Sequence, residues 1–142
     1  MLLVCVAGCG GGHARIRGPK PLTKAAYDRR MTAIGLSMGA DIRPVAEART
    51  AHTAELALTK VKDEFAALDT QLAAITPPTP IRADQAHLVA AVGELENELA
   101  SLIAKLHTGD LKVLNSFDSL KGNLDLAAAV KAISKAGYHI AG

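Results

Sequence analysis

The sequence predicts an all-α fold: an antiparallel bundle of four or five helices built on one long helical hairpin. Three observations lead there. Large apolar residues fall at Leu58, Val61, Phe65, Leu68, Leu72 and Ile75, with gaps alternating between three and four residues. A second run, Leu88, Val92, Leu95, Leu99, Leu102 and Leu106, alternates four and three. A helical turn of about 3.6 residues keeps such positions on one stripe, and a sustained alternation is the seam of a coiled coil. Between the runs lies Thr76-Pro77-Pro78-Thr79-Pro80. Proline lacks the amide hydrogen and biases its predecessor away from the helical region, so neither helix continues through this stretch. Two long helices joined by a short turn must lie antiparallel.

Composition agrees. The chain has 142 residues, enough for one domain, and 49% of them are hydrophobic. There is no tryptophan, and there are only two tyrosines and two phenylalanines. The core must therefore be Leu, Val, Ile and Ala, which suits close-packed helices. Aromatic platforms for stacking bases or sugars are scarce.

Charge is unevenly spread around a net of +2. Residues 1–30 carry Arg15, Arg17, Lys20, Lys24, Arg29 and Arg30 against Asp28 alone, a net of +5. Residues 31–142 hold ten Lys/Arg against thirteen Asp/Glu, a net of −3. A basic arm on a mildly acidic body is the pattern to explain.

In chain order, residues 1–9 (Met-Leu-Leu-Val-Cys-Val-Ala-Gly-Cys) are apolar and far too short to span a bilayer. Both cysteines, Cys5 and Cys9, lie here, which excludes a disulfide framework in the body. The stretch reads as the tail of a secretion signal, an apolar run with small residues before a cleavage point. Val6-Ala7-Gly8-Cys9 resembles the bacterial lipobox: aliphatic, small, small, cysteine. That resemblance implies cleavage between Gly8 and Cys9, with the Cys9 sulfur carrying a diacylglyceryl group. No basic residue precedes the apolar run, so either translation starts upstream of Met1 or this form is poorly exported. The alternative is a frayed apolar tail with two incidental thiols.

Residues 9–22 read as a flexible basic tether, because Gly10-Gly11-Gly12 is permissive and Pro19 and Pro21 oppose helix. One acyl chain holds a protein to a membrane only marginally, and basic residues near an anionic surface add to it. Arg15, Arg17 and Lys20 are thus the candidate membrane-proximal charges; a solvated linker that happens to be basic is the alternative. Nucleic acid is not an expected partner, since the arm has no aromatic residue before Tyr27.

The body is expected to occupy 23–142. Helix 1 follows Thr23, a good cap residue, with Tyr27, Met31, Ile34 and Met38 as its stripe. Helix 2 is expected over 44–75, with an alanine-rich first half that other helices can approach closely. Helix 3 is expected over 80–107, with Thr79 as its cap and Pro80 at its first position. A second apolar edge at Val89 and Ile103 implies further helices alongside. Glu94 and Glu98 share a face four residues apart and read as solvated, with a cation or partner patch as the functional alternative. Asp110 caps a short helix 4 carrying Leu111, Leu114, Phe117 and Leu120. Gly122-Asn123 reads as a turn with Asn123 as the next cap. Helix 5 follows with Leu126, Ala127, Val130 and Ile133 inward, Gly137 closes it, and Tyr138 and Ile140 fold back.

The block 23–138 resembles small lipoproteins of high-GC Gram-positive bacteria. The shared features are a short first helix, a helical pair joined at Thr76-Pro77-Pro78, the Gly109-Asp110 helix start and the ending Gly137-Tyr138-His139-Ile140. The resemblance implies location and fold and assigns no activity.

Catalytic signatures are missing. The five histidines, His13, His52, His87, His107 and His139, include no pair spaced four apart, so no metal site is expected. There is no Gly-x-Ser-x-Gly elbow, and Gly8 to Gly12 lacks the Gly-Lys-Ser/Thr of a phosphate loop. Pro77 to Pro80 matches Pro-x-x-Pro in form only, since its use as a helix turn accounts for it. The expectation is a non-enzymatic, cofactor-free interaction or scaffold protein of the cell envelope. It would be anchored at the extracytoplasmic face of the cell membrane, with an envelope protein as its candidate partner. A small apolar-ligand binder, using the gap between helix 1 and the hairpin, is the alternative.

Overall fold

A computed structural model describes residues 19–38 and 43–140. Among them every regular element is helical: α1 (Lys24–Met38), α2 (Arg43–Glu47), α3 (Ala51–Ala73), α4 (Arg82–His107) and α5 (Lys121–Lys135). Two 3₁₀ segments join them, Thr79–Ile81 and Leu111–Ser119.

The hairpin is α3 and α4. All twelve seam residues read from the sequence are buried, with Leu58, Val92, Leu95 and Leu99 fully enclosed. At the turn end, the Gln85 side-chain amide donates to the Leu72 carbonyl at 3.4 Å. At the opposite end, His107 Nδ1 lies 3.2 Å from Glu55 Oε1. These contacts tie the two helices antiparallel along their length, about 39 Å for the 26 residues of α4.

The central helix is α4, which packs on α3 along one side and on α5 along another. The N-terminus of α5 meets Leu95 and Glu98 midway along α4. The segment after α5 returns to the turn end, where Tyr138 meets Tyr27. Helix α1 starts at that same end, because the Leu22 amide donates to the Thr76 carbonyl at 2.9 Å. Its stripe Tyr27, Met31 and Ile34 is buried against the core. Val45 of α2 is buried near the opposite end, beside the start of α3. The long helices thus alternate in direction, which is the all-α antiparallel bundle expected.

Several boundaries differ from expectation, each for a local reason. The helix expected over 44–75 is broken at 48–50. Thr50 is extended there and forms a reciprocal capping box: its hydroxyl accepts the Thr53 amide, and Thr53 accepts the Thr50 amide. A threonine that satisfies free amides stops the helix N-terminal to it. Thr79 makes no side-chain cap; it opens the 3₁₀ turn instead, and α4 begins at Arg82. Three prolines in four residues leave room for one tight turn before regular α-geometry starts. Asp110 does cap, accepting the Lys112 amide at 3.0 Å, but the helix it opens is 3₁₀ throughout.

Gly122-Asn123 is no turn. Both residues lie inside α5, and Asn123 donates its side-chain amide to the Phe117 carbonyl rather than capping. The buried stripe of α5 runs through Gly122, Ala129 and Ile133 with Leu126 half-buried, while Ala127 is exposed. Gly137 closes α5 as expected, at φ +87°. Its amide reaches Ser134 O, the Tyr138 amide reaches Ile133 O, and both Ile133 and Tyr138 are buried. That is a Schellman ending with its apolar contact, and the left-handed residue is the one place it needs glycine.

Candidate functional site

Among the expected site residues, Gly8, Cys9, Arg15 and Arg17 lie outside the described residues, as does His13. Lys20 is described, and it leads to the one end of the bundle where the basic arm meets the folded body.

Pro19 and Pro21 deny that stretch a helix, and 19–23 carries no regular secondary structure. Its Leu22 amide is held by Thr76, and Leu22 is half-buried against the core. Thr23 then caps α1, accepting the Ala26 amide at 3.3 Å, as expected. Lys20 and Arg30 flank a groove of about 430 Å³ whose walls include Leu22, Ala26, Ile75 and Thr76.

At the same end of the bundle sits a buried polar cluster. The Tyr27 hydroxyl donates to Gln85 Oε1 at 2.6 Å, and Gln85 passes the connection to the Leu72 carbonyl. Tyr27 is fully enclosed and Gln85 is 3% exposed. The Tyr138 ring stands edge-on to Tyr27, with centroids 5.5 Å apart, and the Lys24 ammonium lies 5.3 Å from its centre. Asp28 accepts from Lys24 at 2.8 Å and from the His139 amide at 2.9 Å. Those two donors, Lys24 first, hold the Asp28 carboxyl below the usual carboxylate range. The cluster clamps the first helix to the hairpin and to the C-terminal segment at once.

Burial pushes the Tyr27 phenol up to about 12, with the Asp28 charge adding to the effect. The folded chain therefore holds this proton more tightly than the unfolded chain, whose tyrosine titrates near 10. The sign follows: the contribution is intact below about pH 10 and is lost as pH rises toward about 12. Tyr27→Phe is expected to lower stability at neutral pH by about 1–3 kcal/mol, because Gln85 Oε1 loses its donor inside the core. It is also expected to flatten the alkaline fall in the urea midpoint. A Tyr27→Phe profile parallel to the parent's between about pH 10 and 12 would contradict this assignment.

No family model matches the chain, and no match is found among curated proteins or solved structures.

The remaining polar features are accounted for within the fold. Glu94 and Glu98 stay half-exposed, but each is engaged by the start of α5. The Glu98 carboxylate accepts the amides of Lys121 at 3.0 Å and Gly122 at 2.8 Å, capping α5 from a neighbouring helix. Glu94 Oε2 lies 2.6 Å from Lys121 Nζ, which also reaches Asp125 at 2.7 Å. Asp125 and Glu94 together hold that ammonium above its usual range. Beside this network, His87, Ala91, Glu94, Asp125 and Ala129 line a shallow groove of about 300 Å³ between α4 and α5. His52 on α3, His87 and His107 far apart on α4, and His139 after α5 are all exposed, and among the described residues no three metal-ligating side chains gather. Tyr27, Met31 and Ile34 pack the inner face of α1 against the core, and the open space left between α1 and the hairpin is the groove flanked by Lys20 and Arg30.

Tyr27 was legible in the sequence as a stripe residue, but its hydroxyl's partner was not. Gln85 carries a signal that could have found it. It lies three residues before Leu88 and so continues the seam register of α4, the one polar residue on that stripe. A polar side chain in an apolar seam implies a buried hydrogen-bond partner.

Proposed function

We propose that this chain is a lipid-anchored extracytoplasmic protein whose helical bundle serves as a non-enzymatic interaction or scaffold module of the cell envelope. The observation that carries the reading is Val6-Ala7-Gly8-Cys9, followed by a basic arm and then a helical body. Two further features support it. No helix among the described residues is long and apolar enough to cross a membrane, so attachment at a bilayer would need another device. The arm also enters the bundle at a firmly built place: Leu22 is bonded to Thr76, and α1 is clamped through Tyr27 and Asp28. A load on the anchor is therefore passed to the hairpin rather than peeling away a loose first helix.

Cys9 is the residue that carries the anchor, because only its thiol stands at the lipobox position. Cys5 lies in the discarded leader. In a form given a basic n-region before Met1, Cys9→Ala is expected to lose fatty-acid labelling and leave the membrane fraction, while Cys5→Ala keeps both. An exported parent that takes up no labelled fatty acid would end the lipoprotein reading and restore the frayed-tail reading of 1–9. Cross-linking of the membrane-held protein followed by mass spectrometry is expected to return an envelope protein partner.

A further inference from the structure

We propose that the turn end of the bundle docks on an anionic membrane, with a phospholipid phosphate seated between Lys20 and Arg30. The orientation rests on the lipid-anchor reading; the chemistry rests on the groove. Lys20 and Arg30 come from separate elements, the arm and α1, yet flank one groove. Both are exposed, and neither makes an ion pair or side-chain hydrogen bond among the described residues.

A phosphate suits this pair. The arginine fork can grip two of its oxygens while the lysine supplies a compact charge. The groove walls beneath, Leu22, Ala26 and Ile75, are apolar. They fit the glycerol and first methylenes that follow a lipid phosphate, and the long basic stems can lie on them while their heads reach the phosphate.

The position of the groove fits the same occupant. Leu22 is fixed to Thr76, so the Lys20 charge belongs to the folded body. Ten residues separate Cys9 from Lys20, a span of at most about 40 Å. The groove is at the end of the bundle nearest the anchor; the opposite end lies a further length of α4 away. Arg82, the first residue of α4, adds an exposed cation at the near end. Of the carboxylates there, Asp28 is already engaged by Lys24 and the His139 amide, and Asp84, in the first turn of α4, is half-buried.

The test uses the full chain without acylation, so that its outcome is independent of fatty-acid labelling. Co-sedimentation is measured with vesicles of about 30% phosphatidylglycerol in phosphatidylcholine and with phosphatidylcholine alone, at about 0.1 M salt. The parent is expected to bind only the anionic vesicles. Lys20→Gln with Arg30→Gln is expected to weaken that binding about 10- to 30-fold, the effect of two basic residues near the surface. Lys20→Arg with Arg30→Lys keeps most of it. A charge-matched pair at the opposite end, Arg49→Gln with Lys105→Gln, is expected to change binding by less than about 3-fold, because those charges lie beyond the Debye length. Circular dichroism melts confirm that each variant is folded. Equal losses from the two pairs, no loss from the first pair, or equal binding to both vesicles would overturn the proposal. Failure here with Cys9 labelled would leave the anchor in place and remove only the docking face.

Discussion

Leu99→Asp is expected to abolish cooperative folding. Leu99 is fully enclosed in the seam between α3 and the central helix α4. An aspartate there loses the packing of a leucine, about 2–5 kcal/mol, and places an unpaired carboxylate in an apolar core at several kcal/mol more. Domains of this size have about 5–15 kcal/mol in total. The expected result is a chain with reduced helicity at 25 °C and no sharp transition in a circular dichroism melt. Leu68→Asp is expected to be somewhat milder, since Leu68 is 6% exposed and its carboxylate has a route toward water. A Leu99→Asp protein melting like the parent would mean that the seam is not the stability core.

Gly122→Ala is expected to undock α5. A Cβ on Gly122 would lie 2.6 Å from both the Cα and the amide nitrogen of Leu95. Those are backbone atoms of the central helix and cannot swing aside. Helix α5 must move out, and the two hydrogen bonds from its first amides to Glu98 stretch with it. Overpacking costs about 1–3 kcal/mol and a lost cap about 0.5–2, so a loss of about 2–4 kcal/mol is expected. It should appear as a lower urea midpoint, with amide exchange accelerated in α5 before α3 and α4. Gly93 is the control. It lies within α4, and a Cβ there would meet nothing within 4 Å. Gly93→Ala is therefore expected to stabilise by about 0.5–1 kcal/mol through helix propensity alone. The two substitutions add the same methyl group and should act with opposite sign.

The hairpin was legible because its information is local and periodic. Leucines three and four residues apart can bury together only on a helix, and prolines can stop it only where they stand. The ending at Gly137 was legible for the same reason, since a left-handed residue after an apolar stripe favours glycine. What escaped depends on partners distant in sequence. Glu98 looks like half of a repelling pair with Glu94 until Lys121 and Gly122 are brought to it from 23 and 24 residues away. Gly122 looks like a turn residue until α5 lies so close on α4 that no side chain fits. The break at 48–50 is an intermediate case. Its signal, Thr50 three residues before Thr53, is local, but the alanine-rich surroundings favour continuous helix and mask it. Of the candidate anchoring residues, only Lys20 falls among those described. The sequence therefore carries the case for Cys9, and the bundle supplies the place where the arm enters.

The most direct measurement is the intact mass and N-terminal peptide of the protein recovered from the membrane fraction of cells expressing it behind a basic n-region. The expected result is a chain that begins at Cys9, lacks Gly8 and everything before it, and carries a diacylglyceryl group on the Cys9 sulfur. An exported chain that retains Gly8, with a free Cys9 thiol, would contradict the lipid anchor on which the proposed function stands.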